Sequence, residues 1–448
     1  MLAAAAKFLD RTVPRYTSYP TAPHFVPTIN SDTYASWLAH LPEAGTLSLY
    51  VHVPFCEKLC LYCGCHTKAV RRPAPVEAYA DRLSEELDLV AARTGCRRIV
   101  QLHWGGGTPS ILGVERLYRI IAQLDLRFDL SATVEHAIEL DPRHVTQQLV
   151  QVLADIGVNR ASLGVQDFSP HVQRAIGREQ SFEMVAQAVA WLRGAGIEDI
   201  NFDLMYGLPG QSIDDVRRTV TLAHELQPRR LAVFGYAHVP WFKPHQRLLD
   251  ESTLPGPGLR VAQAAAAHDT LIALGYQAIG LDHYADPGDS LAVAARRRRL
   301  RRNFQGYTTD LADALIGLGA SAIGHLPQGY VQNASDIGGY ARAVGARRLA
   351  TKRGIAFSAD DRIRGRIIED LMCYLDCEVG QLAMQHDLRA DAFDQEIESL
   401  RPFEADGLVR IDGRRIAVEE KGRPYLRLIA AAFDTYLTDS GARHSIAV

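Results

Sequence analysis

Four of the seven cysteines in this 448-residue chain lie within ten residues of one another, at Cys56, Cys60, Cys63 and Cys65. The first three have the spacing Cys-x3-Cys-x2-Cys on what we expect to be one short loop. Thiolates are soft ligands that suit iron–sulfur clusters, and three of them can hold three irons of a [4Fe–4S] cluster. The fourth iron is then open to a small-molecule chelate unless Cys65 supplies a fourth thiolate.

A structural zinc site is the alternative for these cysteines. Zinc sites of that kind use four ligands, often in two pairs that are separated in the sequence. The thiols here lie on one segment, so an iron–sulfur cluster is the favoured interpretation. The odd number of cysteines in a long chain argues against a disulfide scaffold. We expect Cys96, Cys373 and Cys377, which are scattered, to be ordinary buried thiols.

A regular alternation of strands and helices must position the cysteine loop. Leu47, Leu49, Val51 and Val53 alternate with other residue types, which predicts a strand that leads directly into the loop. The same strand–helix unit then repeats. The six predicted strands are Leu47–Val53, Ile99–Trp104, Glu135–Leu140, Arg160–Val165, Asp199–Met205 and Arg230–Tyr236. Helices are predicted at Val76–Arg93, Val114–Leu124, His144–Ile156, Phe182–Arg193, Ile213–Leu226 and Leu259–Leu274.

This alternation predicts an α/β fold with a parallel sheet. Six such units favour a full or partial TIM-like (βα)6 barrel, with a doubly wound sheet as the runner-up. We expect an irregular N-terminal arm over 1–45, the barrel and its extension over 46–355, and a small, mostly helical domain over 356–448. The last region should hold a hairpin with Asp412-Gly413 at its turn and a closing helix near Pro424–Leu437.

Glycines and polar residues follow several of the predicted strands. Loops at the C-terminal ends of barrel strands build the active site. Gly105-Gly106-Gly107-Thr108 comes directly after the second strand, where bare backbone lets a ligand approach closely. Glu139 and Asp203 lie at the ends of two later strands. Each feature also has a structural interpretation: a plain turn for the glycines, a helix cap for Glu139, and an ion pair with a buried arginine for Asp203.

The cysteine loop, with Tyr62 just before its last cysteine, resembles the radical S-adenosylmethionine (SAM) family. Within that family the chain is more similar to the oxygen-independent coproporphyrinogen III oxidases, or coproporphyrinogen dehydrogenases. The segments that carry this resemblance are Arg15–Ala22, Tyr50–Cys65, Leu102–Pro109, Glu139–Arg143, Leu163–Phe168, Asp203–Pro209, Asn303–Thr309 and Phe433–Leu437. The cysteine triad is common to the whole family. Cys65 and Asn303–Thr309 are what point to these oxidases rather than to their haem-chaperone relatives.

The resemblance implies a set of cofactor contacts. Cys56, Cys60 and Cys63 would ligate the [4Fe–4S] cluster, and its open iron would bind the amino and carboxylate groups of SAM. Contacts to SAM, divided between two SAM molecules, are implied for Tyr50, Tyr62, Gly106, Gly107, Thr108, Glu139, Gln166, Arg178, Asp203, Ala237 and Ile323. Cys65 belongs to the family pattern, and its role stays open between tuning the cluster, contacting the substrate and simple packing.

The resemblance also implies an oxidoreductase of porphyrin and haem biosynthesis. A 5′-deoxyadenosyl radical from reductive SAM cleavage would abstract hydrogen from the β-carbon of a substrate propionate. Loss of one electron and of CO2 would then leave a vinyl group, and two such reactions would convert coproporphyrinogen III to protoporphyrinogen IX. The implied partners are an electron donor such as flavodoxin or ferredoxin and an unidentified electron acceptor, and the implied state is a monomer. A haem-binding chaperone and a haem-modifying radical SAM enzyme are the alternatives.

Charge and hydropathy exclude other classes of function. The 49 basic and 52 acidic residues give a net charge of −3, which offers no basis for sequence-independent nucleic-acid binding. No apolar run reaches the roughly eighteen residues of a membrane span. Met1–Asp10 lacks the charged start and long apolar centre of a secretory signal, so we expect a cytoplasmic protein.

An arginine-rich segment, Arg296–Arg302, contains six arginines. Arginine binds carboxylates with two parallel hydrogen bonds, and coproporphyrinogen carries four carboxylates. A solvated helix face is the alternative, and it is the favoured interpretation for each of these arginines taken singly.

Overall fold

The structure, a computed structural model, describes Phe8 and residues 11–437. The expectation of an N-terminus without a secretory signal falls on Met1–Asp10 and so lies, apart from Phe8, outside the described residues. The last part of the predicted C-terminal domain, 438–448, also lies outside them. Among the described helices, none has the length and apolar character needed to cross a bilayer.

A twelve-stranded sheet forms the centre of the described structure. The order across it is Thr351–Ala356, Gly329–Asn333, Ile323–Leu326, Ala314–Leu318, Thr46–Val53, Arg98–Gly106, Glu135–Leu140, Arg160–Gln166, Asp199–Tyr206, Arg230–Gly235, His283–Ala285 and Gln277–Ile279. The six strands from Thr46–Val53 to Arg230–Gly235 are the predicted ones. They are neighbours in chain order and pair in parallel throughout.

The strand order decides between the two predicted sheet types. Crossover connections between parallel strands are right-handed, so an order that never reverses places every connecting helix on one face of the sheet. A doubly wound sheet instead reverses its order at a switch point and carries helices on both faces. The six predicted strands show no reversal. The partial (βα)6 barrel is therefore confirmed, and the doubly wound sheet is excluded.

The strands outside these six were not predicted. Ala314–Leu318 pairs in parallel with the first strand, and the strands beyond it at that edge of the sheet are antiparallel. At the other edge, His283–Ala285 pairs antiparallel to Arg230–Gly235. These strands have three to six residues and do not alternate regularly with helices. Neither a strand-like alternation of apolar residues nor a repeated strand–helix unit therefore marks them in the sequence.

Three of the six barrel helices begin at polar side-chain caps, formed by Thr146, Ser181 and Ser212. The six helices are Pro73–Ala91, Val114–Arg127, Gln147–Asp155, Phe182–Gly194, Ile213–Glu225 and Pro257–Ala273, with the short helix Pro170–Ala175 as an unpredicted addition. Ser212 and Asp215 form a capping box at the start of Ile213–Glu225. The helix predicted from His144 begins only at Gln147, because the Thr146 side chain accepts a hydrogen bond from the Leu149 N–H and caps it there.

A second hydrophobic core lies in the C-terminal region. Its helices are Ala359–Tyr374, Val379–Gln385, Asp394–Glu398, Arg401–Ala405 and Leu426–Ala430, and its strands are Asp376–Glu378, Val409–Asp412 and Arg415–Val418. The predicted hairpin is present, but Asp412 pairs with Arg415, so the turn is Gly413-Arg414 rather than Asp412-Gly413. The predicted closing helix is wrong in length: only Leu426–Ala430 is α-helical, and flanking 3₁₀ turns replace the rest.

The N-terminal arm is shared between the two cores. Val13, Tyr16 and Tyr19 pack with the C-terminal core, whereas Tyr34 and Leu38 pack with the barrel. The Tyr16 hydroxyl donates a hydrogen bond to Oδ2 of Asp434, 3.0 Å away. The remaining described elements are the helices Ser31–Ala39, Ser290–Arg296 and Ile337–Gly345 and the short strands Phe55–Cys56, Lys68–Ala69, Arg301–Asn303 and Gly306–Thr308. The arm therefore connects the C-terminal domain to the barrel.

Candidate active site

A cavity of about 1790 Å³ lies at the C-terminal ends of the parallel strands. Its lining brings together the clustered cysteines, the glycine loop and the polar strand ends. The predicted residues that line it are Tyr50, Cys56, Cys60, Tyr62, Cys63, Cys65, Gly106, Gly107, Thr108, Glu139, Gln166, Arg178, Asp203 and Ala237. This is the edge of the sheet at which barrel enzymes build their active sites.

Ile323 is the predicted contact that the structure does not bring into the lining. It is the first residue of the strand Ile323–Leu326, and its carbonyl lies against Gly317, the residue paired with Tyr50. The strand Ala314–Leu318 thus separates Ile323 from the first strand, and Ile323 does not lie on the cavity wall.

Two arginines lie close to the sulfur of Cys60. Nη1 of Arg178 lies 3.4 Å from the Cys60 Sγ, and Nη2 of Arg143 lies 3.7 Å from it. Cys56 accepts a hydrogen bond from the Thr108 hydroxyl at 3.5 Å. Cationic neighbours and hydrogen-bond donors stabilise the ionised form of a thiol, which is the form that binds iron.

Cys63 and Cys65 shift each other's pKa in opposite directions. The interaction with Cys65, together with Lys243 and Arg178 and against the effect of burial, lowers the pKa of Cys63 to about 7. The same interaction raises the pKa of Cys65 above its usual value. Cys65 is exposed on the cavity wall, where it can influence a cluster ligand or contact a substrate.

The donor set as a whole fits an iron–sulfur cluster better than a single ion. Among the residues that the structure describes, no three His, Cys, Asp or Glu side chains are placed to hold one metal ion. Thiolates that each bind a different iron of a cluster do not need to converge on one point. The seven cysteines, all within the described part of the chain, form no disulfide.

A loop after the last barrel strand fixes the backbone of the cysteine loop. Gln246 donates a hydrogen bond to the Tyr62 carbonyl at 2.9 Å, and Lys243 donates one to the Cys65 carbonyl at 2.7 Å. His245 Nε2 lies 2.8 Å from the Cys63 carbonyl oxygen. The sequence analysis missed these three residues, because an irregular segment between a strand and a helix gives no periodic signal.

The glycine loop is built for close backbone approach. A Cβ atom on Gly107 would lie 2.3 Å from the carbonyl oxygen of Phe55, and Gly106 has a φ of +112°. The Gly107 N–H donates a hydrogen bond to the Val53 carbonyl at 2.8 Å. Only glycine fits at Gly107, because the Phe55 backbone occupies the space that a side chain would need.

Glu139 is held by the glycine loop and by the second strand. Its carboxylate accepts a hydrogen bond from the Gly106 N–H at 3.1 Å and lies 3.3 Å from Nε2 of His103. Burial would raise its pKa, but His103 and the Gly106 N–H hold the pKa below its usual value. The helix cap proposed for Glu139 is instead formed by Asp141, which accepts from the Arg143 N–H.

Tyr50 is oriented by His52 on the same face of the first strand. The Tyr50 hydroxyl lies 3.0 Å from Nδ1 of His52, whose Nε2 lies 3.0 Å from the His66 carbonyl oxygen. Burial lowers the pKa of His52, so the ring is neutral near pH 7. With its one proton on Nε2 for the carbonyl, Nδ1 accepts from Tyr50. His52 therefore positions Tyr50 rather than binding a ligand itself.

Asp203 lies in the cavity wall without a cation. Its Oδ2 lies 3.3 Å from the Ser162 hydroxyl, and it forms no ion pair with any described arginine. Burial and the nearby Glu139 raise its pKa to about 6. The predicted structural alternative, a buried ion pair, is therefore wrong.

Gln166, one strand earlier, has a φ of +69° at a bulge, a strained conformation of the kind found at functional sites.

Comparison with known proteins places this site in a family. Residues 50–223 match the radical SAM superfamily. Over 449 residues the chain is 50% identical to the oxygen-independent coproporphyrinogen III oxidase of Bradyrhizobium diazoefficiens, with 99% of each chain covered. The chain belongs to the oxygen-independent coproporphyrinogen III oxidase family.

Two further relatives agree with this family. The protein of the same name from Paracoccus denitrificans is 42% identical over 98% of this chain and 97% of its own. The solved structure of coproporphyrinogen III oxidase (HemN) from Escherichia coli, a radical SAM enzyme, has a TM-score of 0.90 and 38% identity. That comparison covers 95% of this chain and 100% of the other. The family predicted from the sequence segments and the predicted fold class are confirmed.

Proposed function

We propose that this protein converts coproporphyrinogen III to protoporphyrinogen IX without oxygen, by oxidative decarboxylation of two propionates to vinyl groups. One observation carries the proposal. The segment that distinguishes these oxidases, Asn303–Thr309, contributes Phe304 to Thr308 to the same cavity wall as the cysteine loop. A cluster site and a substrate-specific segment therefore face one another across one space, in a chain that aligns with its relatives over nearly its full length.

The radical SAM family implies a [4Fe–4S] cluster and SAM, and we propose that Cys56, Cys60 and Cys63 hold the cluster. Together the reduced cluster and SAM supply a 5′-deoxyadenosyl radical that removes a hydrogen atom from a propionate. The protein's own residues bind and orient. Arg178 and Arg143 stabilise the Cys60 thiolate, as their distances to its sulfur indicate.

The remaining wall residues are suited to hold SAM. Glu139 and Asp203 are acceptors for ammonium or hydroxyl groups, and Gly106 and Gly107 line the same wall. Tyr50, positioned by His52, faces the same space. These roles are proposals that rest on the shared cavity and on the hydrogen bonds described above.

The size of the cavity supports two SAM molecules. Small-molecule sites occupy about 300–1,000 Å³, whereas this cavity has about 1790 Å³. Ala237 and Gln305 extend the cavity wall beyond the cysteine loop and the glycine loop. Gln305 was not assigned from the sequence, although it lies in the Asn303–Thr309 segment that was singled out.

The arm and the C-terminal domain are proposed to cover the cavity. Val13 and Arg15 from the arm and Arg427 from the C-terminal domain belong to its lining. A covered site excludes water from a reactive radical. We therefore propose a barrel with its extension over 46–355 and a separate C-terminal domain over 356–448, with the arm linking the two.

The proposed activity also involves redox partners, a compartment and an oligomeric state. An electron donor such as flavodoxin or ferredoxin would reduce the cluster, and an electron acceptor would take the electron left after decarboxylation. The free cysteines suit a reducing compartment such as the cytoplasm. We also propose that the enzyme acts as a monomer.

An anaerobic turnover assay tests the proposal. Protein with a reconstituted cluster receives SAM, a reductant, coproporphyrinogen III and a cell extract as the source of an electron acceptor. We expect protoporphyrinogen IX and 5′-deoxyadenosine, and neither from a Cys60→Ala variant. Cleavage of SAM with the porphyrinogen untouched would contradict the substrate and favour a haem-modifying enzyme. Tight haem binding without either product, with the cluster intact, would favour a haem chaperone.

A further inference from the structure

Four arginines from separate parts of the chain line the active-site cavity. They are Arg15 in the N-terminal arm, Arg260 in the helix Pro257–Ala273, Arg302 in the strand Arg301–Asn303 and Arg427 in the helix Leu426–Ala430. Besides burial, the positive charge of Arg15 lowers the pKa of Arg260 and that of Arg427, and the charge of Arg302 also lowers the pKa of Arg427. The four side chains are therefore neighbours. Burial and the nearby Arg15 lower the pKa of Arg427 to about 10.

Two guanidinium nitrogens of this group lack partners. The Nε of Arg260 and the Nη1 of Arg302 are buried and have no hydrogen-bond partner among the described residues. The rest of the Arg302 guanidinium is fixed, because Nε donates to the Tyr16 carbonyl at 3.0 Å and Nη2 to the Arg15 carbonyl at 3.2 Å. A buried donor without an acceptor costs roughly 1–3 kcal/mol. Such donors on a cavity wall indicate an acceptor that the protein itself does not provide.

The other arginines of the cavity wall are neutralised by carboxylates. Arg160 pairs with Glu135 and Asp289, Arg178 pairs with Asp141, and Arg423 pairs with Glu420. In contrast, the ion pairs of the described residues do not include Arg15, Arg260 or Arg302. Asp282 is the carboxylate whose charge reaches Arg302 and Arg427. Glu369 also acts on Arg302, but it forms an ion pair with Arg301. Arg15, Arg260 and Arg302 therefore leave a positive excess on this part of the wall.

We propose that Arg15, Arg260, Arg302 and Arg427 bind the propionate carboxylates of the substrate that do not react. This proposal rests on the proposed function, since the tetracarboxylate porphyrinogen is the anion that supplies the missing acceptors. Arginine presents a planar fork that matches a carboxylate with two parallel hydrogen bonds. Two of the four propionates persist in the product, so two carboxylates are available to these arginines throughout the reaction.

The chemistry assigns this group to spectator carboxylates rather than to the carboxylate that leaves. The reacting propionate loses its charge when its C–C bond breaks and neutral CO2 departs. An ion pair with arginine would stabilise the carboxylate before that step and would be lost during it, which would raise the barrier. An ion pair to a spectator carboxylate is unchanged by the decarboxylation. It holds the ring so that the reacting propionate is directed elsewhere in the cavity.

The structure also resolves the role of the arginine-rich segment. Arg302 is the member of Arg296–Arg302 that lines the cavity. Arg296 bonds to Gln277 and Arg298 approaches Asp376, both on the surface. The segment as a whole is therefore not a substrate patch, and its last residue joins three arginines that are distant in sequence.

The test compares Arg260→Gln and Arg302→Gln with Arg299→Gln, an exposed arginine of the same segment that is not part of the lining. All proteins carry a reconstituted cluster. Three quantities are measured: KM and kcat for coproporphyrinogen III, the Kd of coproporphyrin III, and the Kd of its uncharged tetramethyl ester. Iron content and SAM cleavage without substrate report whether the cofactor site is intact.

We expect each glutamine variant to raise KM and the Kd of coproporphyrin III by about tenfold or more, the loss of roughly one charged hydrogen-bonded contact. The Kd of the tetramethyl ester should change by less than about twofold, since it has no carboxylate to lose. Arg299→Gln should match the wild type. Arg260→Gln carries the test if Arg302→Gln does not fold, because the Arg260 guanidinium makes no hydrogen bond to a described residue.

Two results would overturn the proposal in distinguishable ways. If the wild type turns over and both variants keep its KM and Kd with the cluster intact, the arginine assignment is wrong and the proposed function stands. If the wild type neither binds coproporphyrin III nor forms protoporphyrinogen while it still cleaves SAM, the function and the assignment fall together.

Discussion

The Arg178 guanidinium lies against the Cys60 sulfur, with 3.4 Å between Nη1 and Sγ. The same guanidinium forms an ion pair with Asp141 at 3.2 Å and donates to the Gly164 carbonyl at 2.6 Å. One buried cation thus joins the cysteine loop to residues at the ends of two barrel strands. Arg178 is separated from Cys60 by 118 positions, so the contact exists only in the folded barrel.

Replacement of Arg178 should make the cluster harder to reduce. A positive charge beside a cluster ligand favours the more negative, reduced state. We expect Arg178→Gln to lower the reduction potential by roughly 60 mV, which equals a factor of about ten for one electron. Arg178→Lys should recover part of this shift. A redox titration followed by electron paramagnetic resonance measures it, with the exposed Arg174→Gln as control; an unchanged potential in Arg178→Gln would contradict the assigned contact.

Individual cysteine replacements should separate the triad from Cys65. Cys56→Ala, Cys60→Ala and Cys63→Ala should each lose the cluster, because three thiolates hold three irons. Cys65→Ala should keep a cluster of about four irons but with a lower potential, since the neighbour that lowers the pKa of Cys63 is gone. Cys96→Ala, a buried thiol outside the cavity, is the control. Iron and sulfide analysis decides the matter, and loss of the cluster in Cys65→Ala would make Cys65 the fourth ligand.

Gly107 should not tolerate a side chain. Its Cβ would approach the Phe55 carbonyl oxygen to 2.3 Å, so the glycine loop or the start of the cysteine loop must move. Displacements of about 1 Å in an active site can cost about 10²-fold in rate. We expect Gly107→Ala to lose activity on that scale and to bind SAM more weakly. Gly194→Ala, where a Cβ meets nothing within 4 Å, should behave as the wild type in SAM binding measured by calorimetry.

Asp203 should reduce the stability of the free protein while it supports ligand binding. Burial and Glu139 raise its pKa from 3.8 to about 6. Between those values the folded state binds a proton that the unfolded chain lacks, so the free energy of unfolding falls as the pH rises through about 4 to 6. Above that window Asp203→Asn should therefore stabilise the SAM-free protein by about 1–3 kcal/mol and weaken SAM binding.

Thermal unfolding of the SAM-free protein at pH 7 and pH 5 measures the Asp203 effect. The gain from Asp203→Asn should be smaller at pH 5, where the wild-type carboxyl is largely protonated. Asp214→Asn, with a side chain that is 92% exposed, is the matched control. A destabilised Asp203→Asn variant at pH 7 would show that the carboxylate makes a net favourable contact in the free protein.

The barrel and the cysteine site were predictable because their signals are local. The run from Leu47 to Val53 alternates in the sequence, and these residues are at most 1% exposed where they face the core. The caps at Ser212 and Asp215 are likewise visible in a few residues. Antiparallel strands such as Ile323–Leu326 are short and depend on distant partners for their hydrogen bonds, so no local pattern marks them.

Several residues of the cavity wall could not be predicted from local sequence patterns. Arg15 and Arg302 belong to segments that the sequence analysis singled out, Arg15–Ala22 and Arg296–Arg302, so the sequence did hold a signal for them. Arg260 and Arg427 stand in helical patterns where an arginine is ordinary, and only the fold brings them to the cavity. The same holds for Gln246, whose hydrogen bond to the Tyr62 carbonyl spans 184 positions.

The fate of one hydrogen atom tests the central claim most directly. Coproporphyrinogen III labelled with deuterium at the propionate β-carbons is supplied to the reconstituted enzyme with SAM, a reductant and a cell extract as the source of an electron acceptor. The 5′-deoxyadenosine is analysed by mass spectrometry. We predict 5′-deoxyadenosine that carries one deuterium, together with release of CO2 and the vinyl product, and none of these from Cys60→Ala. Unlabelled 5′-deoxyadenosine formed alongside the vinyl product would contradict the account.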